Sequence, residues 1–137
     1  MAVAGAPRAT FDLDIFVDPT RANAQRLARV LKDFGYEELA RIAPHYFSRV
    51  KQMAAIGRKP LQVDFLTSID GVTFGSAWRS RIEGNVDGAN IPFLGFEALL
   101  KNKQSTGRPK DRSDVRTLKR LASQRQRLRG GRQPKNK

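Results

Sequence analysis

The sequence predicts a single α/β (α+β) domain, a small mixed β-sheet with helices packed on one face, followed by a basic helix and tail. Three observations predict it. Two short runs, Phe11 to Val17 and Leu61 to Leu66, alternate β-branched or aromatic residues with polar ones and are bounded by Pro or Gly, as strands are. Between and after them lie stretches with apolar residues at helical spacing. The third observation is charge. Residues 1–100 hold 12 Lys/Arg against 11 Asp/Glu, whereas residues 101–137 hold 14 against 2, so nearly all of the net +13 lies in the last quarter.

At 137 residues the chain is long enough for one modest core. It has no cysteine, which excludes disulfides and thiolate metal sites. Met1-Ala2-Val3-Ala4 is too short for the apolar core of a signal peptide, and no run approaches membrane-spanning length, so the expected setting is cytoplasmic with no membrane partner.

In the first strand Leu13, Ile15 and Val17 leave one face toward a core, and Asp12 and Asp14 leave the other. The strand at 61–66 places Leu61, Val63 and Phe65 inward and Gln62 and Asp64 opposite. Three carboxylates are thereby expected over one patch of sheet, where they repel unless a cation lies between them. Hard oxygen ligands at that spacing suit Mg²⁺ or Mn²⁺.

Asp18-Pro19-Thr20 exits the strand and caps a helix whose apolar positions are Ala24, Leu27, Ala28, Leu31 and Phe34, with Gly35 placed to end it. Leu39 to Ala55 reads as a short helical or irregular cover interrupted by Pro44. His45, the one histidine, is read as a surface or packing residue. Gly57 to Pro60 turns into the Asp64 strand, and Asp70-Gly71 closes it. Ser76 is placed to cap a short helix through Trp78 and Ile82, with Trp78 as a core aromatic. Asp87-Gly88 marks a hairpin turn. Phe93 to Phe96 enters a helix carrying Leu99, Leu100 and Lys103. Ser105 to Pro109 is a loop by composition, Asp111 to Leu121 a helix, and Ser123 to Lys137 a segment expected to be disordered alone.

Gly5-Ala6-Pro7-Arg8-Ala9-Thr10-Phe11-Asp12-Leu13-Asp14 resembles the G-x-P-R-x-T-x-D-h-D signature (h, hydrophobic) of the polymerase-beta-type nucleotidyltransferase superfamily, in particular its small, toxin-associated AbiEii-like branch. Leu99-Leu100-Lys101-Asn102-Lys103, then Gly107-Arg108-Pro109-Lys110-Asp111 and Asp114, is similar to the L-h-x-x-K…G-R-x-K-D-x-x-D signature of the same branch. The resemblance covers about residues 1–121, which gives the expected division into a nucleotidyltransferase-like domain (1–121) and a basic disordered tail (122–137).

The resemblance implies that Asp12 and Asp14 hold Mg²⁺ or Mn²⁺ and that Asp64 completes the site and draws the acceptor proton. It makes Arg8, Thr10, Lys103 and Lys110 candidates for phosphate contact or for bracing the loop, with Lys103 pointing toward the nucleotide. The implied activity moves a nucleotidyl group from an NTP to a hydroxyl of RNA (tRNA) or protein, in a toxin-antitoxin or defence setting with a cognate toxin or antitoxin as partner. In relatives a first strand and a Gly-Gly or Gly-Ser turn before Gly5 cradle the phosphates. The sequence from Met1 lacks that turn, so weakened nucleotide affinity is expected. The alternative reading is an inactive module of this fold that binds RNA or an acidic protein through its basic C-terminus.

Overall fold

The computed structural model describes residues 2–3 and 13–130. Among these the order is β1 (Ala2–Val3), β2 (Leu13–Phe16), α1 (Arg21–Asp33), α2 (Glu37–Tyr46), β3 (Met53–Arg58), β4 (Leu61–Leu66), α3 (Phe74–Arg79), β5 (Ile82–Val86), β6 (Ala89–Phe93), α4 (Phe96–Thr106) and α5 (Pro109–Gly130). The fold class is α+β. The strands line up as β3-β4-β2-β1-β6-β5. β2 and β4 run parallel, β3 and β5 are the antiparallel hairpin partners of β4 and β6, and two-residue β1 links the halves.

Local chemistry accounts for most element ends. The Thr20 hydroxyl accepts the Asn23 N–H (3.2 Å) and starts α1. The helix stops at Gly35, whose φ of 89° is left-handed. The Gly35 N–H donates to the Lys32 carbonyl (3.0 Å) and the Tyr36 N–H to the Leu31 carbonyl (2.9 Å), the paired bonds of a Schellman motif. Asp87 and Gly88 both have positive φ (51° and 83°), which matches the twist of the β5–β6 hairpin.

Period-two alternation along β2 divides the core. Ile15 and Val17 point to one side, where they meet Val63 and Phe65 of β4, Ala24 and Leu31 of α1, and Ala43 and Phe47 at α2 and its end. Phe16 points to the other, packing with Val72, Ala77, Leu94 and Leu99, and its ring meets Phe74 edge-on at 5.2 Å. Helices therefore cover both faces of the sheet. This corrects the expectation of one covered face, because Phe16 occupies the parity that the acidic pattern reserves for solvent.

Four further expectations are corrected. Met53–Arg58 is an edge strand, whereas the sequence reads 53–55 as the end of a helical or irregular cover and Gly57-Arg58 as a turn. Thr73, not Ser76, caps α3: its hydroxyl accepts the Ser76 N–H at 3.2 Å, while Ser76 returns its own hydroxyl to the Thr73 carbonyl. Trp78 is 42% exposed, stacked beside Phe74 and covered by the Arg81 guanidinium at 4.0 Å from the ring. The last helix continues to Gly130, past the expected start of disorder at 122. From Lys110 to Arg129 it contains neither Gly nor Pro and is rich in Arg, Lys, Gln and Leu, all strong helix formers, while Pro109 sits at the first helical position where its missing N–H costs nothing. Residues 131–137 lie outside the described residues. His45 is exposed, as expected.

Candidate active site at the β2–β4 register

β2 and β4 are parallel neighbours, and their register pairs Asp14 with Asp64. Residues paired in a parallel ladder project to the same face, and neighbouring strands lie about 4.8 Å apart, so the two carboxylates are set side by side. They occupy the face opposite α1 and α2. On that face the flanking β3 positions are Met53, Ala55 and Gly57, all exposed, with Ala55 paired to Asp64. Small side chains beside Asp64 leave room above it. Gln62, two residues earlier on the same face, donates its amide to Asp64 Oδ1 at 2.7 Å and fixes the carboxylate's orientation.

The opposite wall comes from α4 and the turn into α5. A pocket of about 380 Å³ is lined by Asp14, Leu66, Ser68, Asp70, Asn102, Thr106 and Arg108. Asn102 donates to the Asp70 carbonyl at 3.0 Å and ties α4 to the loop after β4. Gly71 lets that loop approach: its φ is 76°, and a Cβ there would lie 2.1 Å from the Ser105 hydroxyl oxygen.

The elbow between α4 and α5 is set by a buried ionic network. The Asp111 side chain is only 3% exposed. Its Oδ2 accepts from the Thr106 hydroxyl (2.6 Å) and from Arg108 Nε (2.8 Å), and its Oδ1 accepts from Lys103 Nζ (3.3 Å). Lys103 Nζ also donates to Asp114 Oδ2 at 2.9 Å. Gly107 makes the elbow possible with a left-handed φ of 66°. Burial alone would push the Asp111 carboxyl up. The Thr106, Lys103 and Arg108 hydrogen bonds and the Lys103 charge outweigh that, and the carboxyl sits below the ordinary carboxylate range.

A carboxyl with a depressed folded value stabilises the fold fully above its unfolded value, near pH 4, and loses that contribution as pH falls through the lower folded one. The elbow is therefore expected to loosen below about pH 4. Thermal melting between pH 6 and pH 2 should show an acid limb that Asp111→Asn diminishes.

Among the expected site residues, the structure brings Asp14 and Asp64 together. Arg8, Thr10 and Asp12 lie outside the described residues. Of the two uses the sequence leaves open for Lys103, the structure shows the brace: its ammonium is engaged by two carboxylates and is not part of the Asp14 pocket. Lys110 is exposed on the first turn of α5. Arg108, Asn102 and Thr106 were not singled out by sequence, although all three stand in or beside the second motif. Arg108 has its Nε held by Asp111 while its side chain remains 72% exposed and lines the pocket with Asp14. Among the described residues no three acids or histidines cluster around one point, and no helix is long and apolar enough to cross a membrane.

The chain matches no family model, no curated protein and no solved structure.

Proposed function

We propose that this protein is a divalent-metal-dependent nucleotidyltransferase that uses the cytoplasmic NTP pool and modifies a hydroxyl of RNA or protein, in a toxin-antitoxin or defence setting. The observation that carries the reading is the register that sets Asp14 beside Asp64, both half-buried, with Asp14 lining a pocket that has a guanidinium on its far side. Two adjacent carboxylates repel, and a cation held between them relieves that repulsion.

The donor set fits Mg²⁺ or Mn²⁺, which are held by one or two carboxylates with the remaining positions left to water and substrate phosphates. Asp14 and Asp64 would hold the ion, with Asp12 as the further ligand that the sequence motif supplies. When bound, the ion neutralises triphosphate charge and lowers the pKa of a hydroxyl near it. In the transfer the acceptor oxygen bonds to the α-phosphorus, the bond from that phosphorus to the bridging oxygen breaks, and pyrophosphate leaves with the electron pair. Asp64 takes the hydroxyl proton. Arg108, pinned at Nε, offers its outer N–H groups to phosphate oxygens, a geometry Arg suits better than Lys.

The test incubates the chain with α-³²P-labelled NTPs at millimolar concentration, with total RNA or cell protein as acceptor. Label in one acceptor class that vanishes with EDTA is expected. Absence of label in both, with every NTP and either metal, would contradict the reading.

A further inference from the structure

Helix α5 runs 22 residues from the lip of the Asp14 pocket, beginning one residue after Arg108. Its inner side is accounted for. Asp111 is locked in the elbow network, Asp114 receives Lys103, and Leu118 packs on the cluster around Phe16. Centred about 160° around the helix from that side, at 100° per residue, lie Arg112, Arg116, Lys119, Arg120 and Arg127. All five are exposed. They form one stripe about 22 Å long at a rise of 1.5 Å per residue. No acid follows Asp114 in the sequence, and Ser123 and Gln126 stand among the cations as exposed hydrogen-bonding groups.

We infer that this stripe is a docking surface for the sugar-phosphate backbone of a nucleic acid. Like charges spaced one turn apart on a helix repel, so their concentration on one face works against the isolated helix and fits a polyanion laid along it. The stripe holds no aromatic or large apolar side chain. A helix lying in a membrane interface needs an apolar face, and a protein-binding surface draws its affinity from buried aromatic or aliphatic anchors. Phosphate contacts need neither, because their affinity comes from released counterions. The elbow fixes the stripe's direction relative to α4, so a strand following α5 is led toward the pocket that holds Asp14. That delivery rests on the transferase reading above; the binding itself does not.

The experiment measures anisotropy of a labelled 24-nucleotide hairpin RNA with the full chain, without NTP or divalent metal, from 50 to 400 mM KCl. Failure of transferase activity therefore leaves it untouched. If the five cations each neutralise a phosphate, wild-type affinity falls roughly 130- to 500-fold between 50 and 200 mM KCl. Replacing the five with Gln should reduce that fall to a few-fold, with helicity by circular dichroism retained. Replacing Arg112, Arg116, Arg120 and Arg127 with Lys should keep most of the salt dependence. A control carrying Gln at Arg26, Arg29, Lys32, Arg41 and Arg49, also exposed, removes equal charge from α1, α2 and the loop after α2. The inference is overturned if the stripe variant keeps the wild-type slope, if the control flattens it equally, or if the chain binds phosphatidylglycerol vesicles and not RNA.

Discussion

Asp64→Asn is expected to lower nucleotidyl transfer by roughly 10² to 10³ fold, the scale seen when one preorganised electrostatic group is removed from a reaction centre, while leaving the fold intact. The substitution keeps the side chain's shape, and the Gln62 amide that donates to Asp64 Oδ1 finds the same oxygen in an asparagine. What it removes is one of two negative charges set side by side by the β2–β4 register. Like charges directly opposite on neighbouring strands are destabilising. The variant should therefore be slightly more stable than wild type in metal-free buffer while being far less active. Opposite movement of the two readouts, a higher denaturation midpoint with lower transfer, separates a site held under repulsion from a carboxylate that serves only the fold. Parallel loss of both would assign Asp64 to structure.

Asp111→Ala is expected to destabilise the protein by about 3 kcal/mol in urea denaturation, a large share of a stability that seldom exceeds 15 kcal/mol. Asp111 is nearly solvent-free and accepts from Thr106, Lys103 and Arg108. Removing it takes the carboxylate acceptor from the half-buried Thr106 hydroxyl, which keeps the Lys103 carbonyl, and deprives Lys103 of one of two carboxylate partners. Lys103 keeps Asp114, which holds the loss at the lower end of the range for a broken buried ion pair. The damage should not stay local. Arg108 loses its anchor and its place in the pocket wall, and α5 loses its fixed angle to α4. Transfer and RNA affinity should both fall in this variant, whereas Asp64→Asn should spare RNA affinity.

The parts of this fold that were legible are those with one dominant local signal. The strand at Leu61–Leu66, the α1 stop at Gly35 and the Asp87-Gly88 hairpin each follow from side-chain parity or from a left-handed φ that glycine supplies cheaply. β3 was hidden because Met53, Ala54, Ala55 and Gly57 carry little β-branched or aromatic signal. Its strand character comes from pairing with β4, a tertiary effect that outweighs weak propensity. The length of α5 was hidden for the opposite reason: low hydrophobicity and high charge mark disorder, yet the same residues are strong helix formers once the elbow nucleates the first turn.

The candidate site was half legible. Strand alternation placed Asp14 and Asp64 on the same side of their strands, and the β2–β4 register sets them abreast. The role of Lys103 was not readable from spacing, since its partners lie eight and eleven residues on and meet it only after the chain turns at Gly107. Arg108 carries no spacing signal because its place depends on the same turn, which sets its Nε on Asp111 and its exposed side chain in the wall of the pocket that Asp14 also lines.

The central claim is that the Asp14–Asp64 pair is a divalent-cation site. Titrating Mn²⁺ into the chain and following free Mn²⁺ by electron paramagnetic resonance, with wild type and Asp64→Asn side by side at neutral pH, tests it without requiring turnover. The account predicts a saturable site in wild type, tightened by added NTP, and binding weakened at least about tenfold in the variant. Equal Mn²⁺ affinity in the two proteins would contradict it.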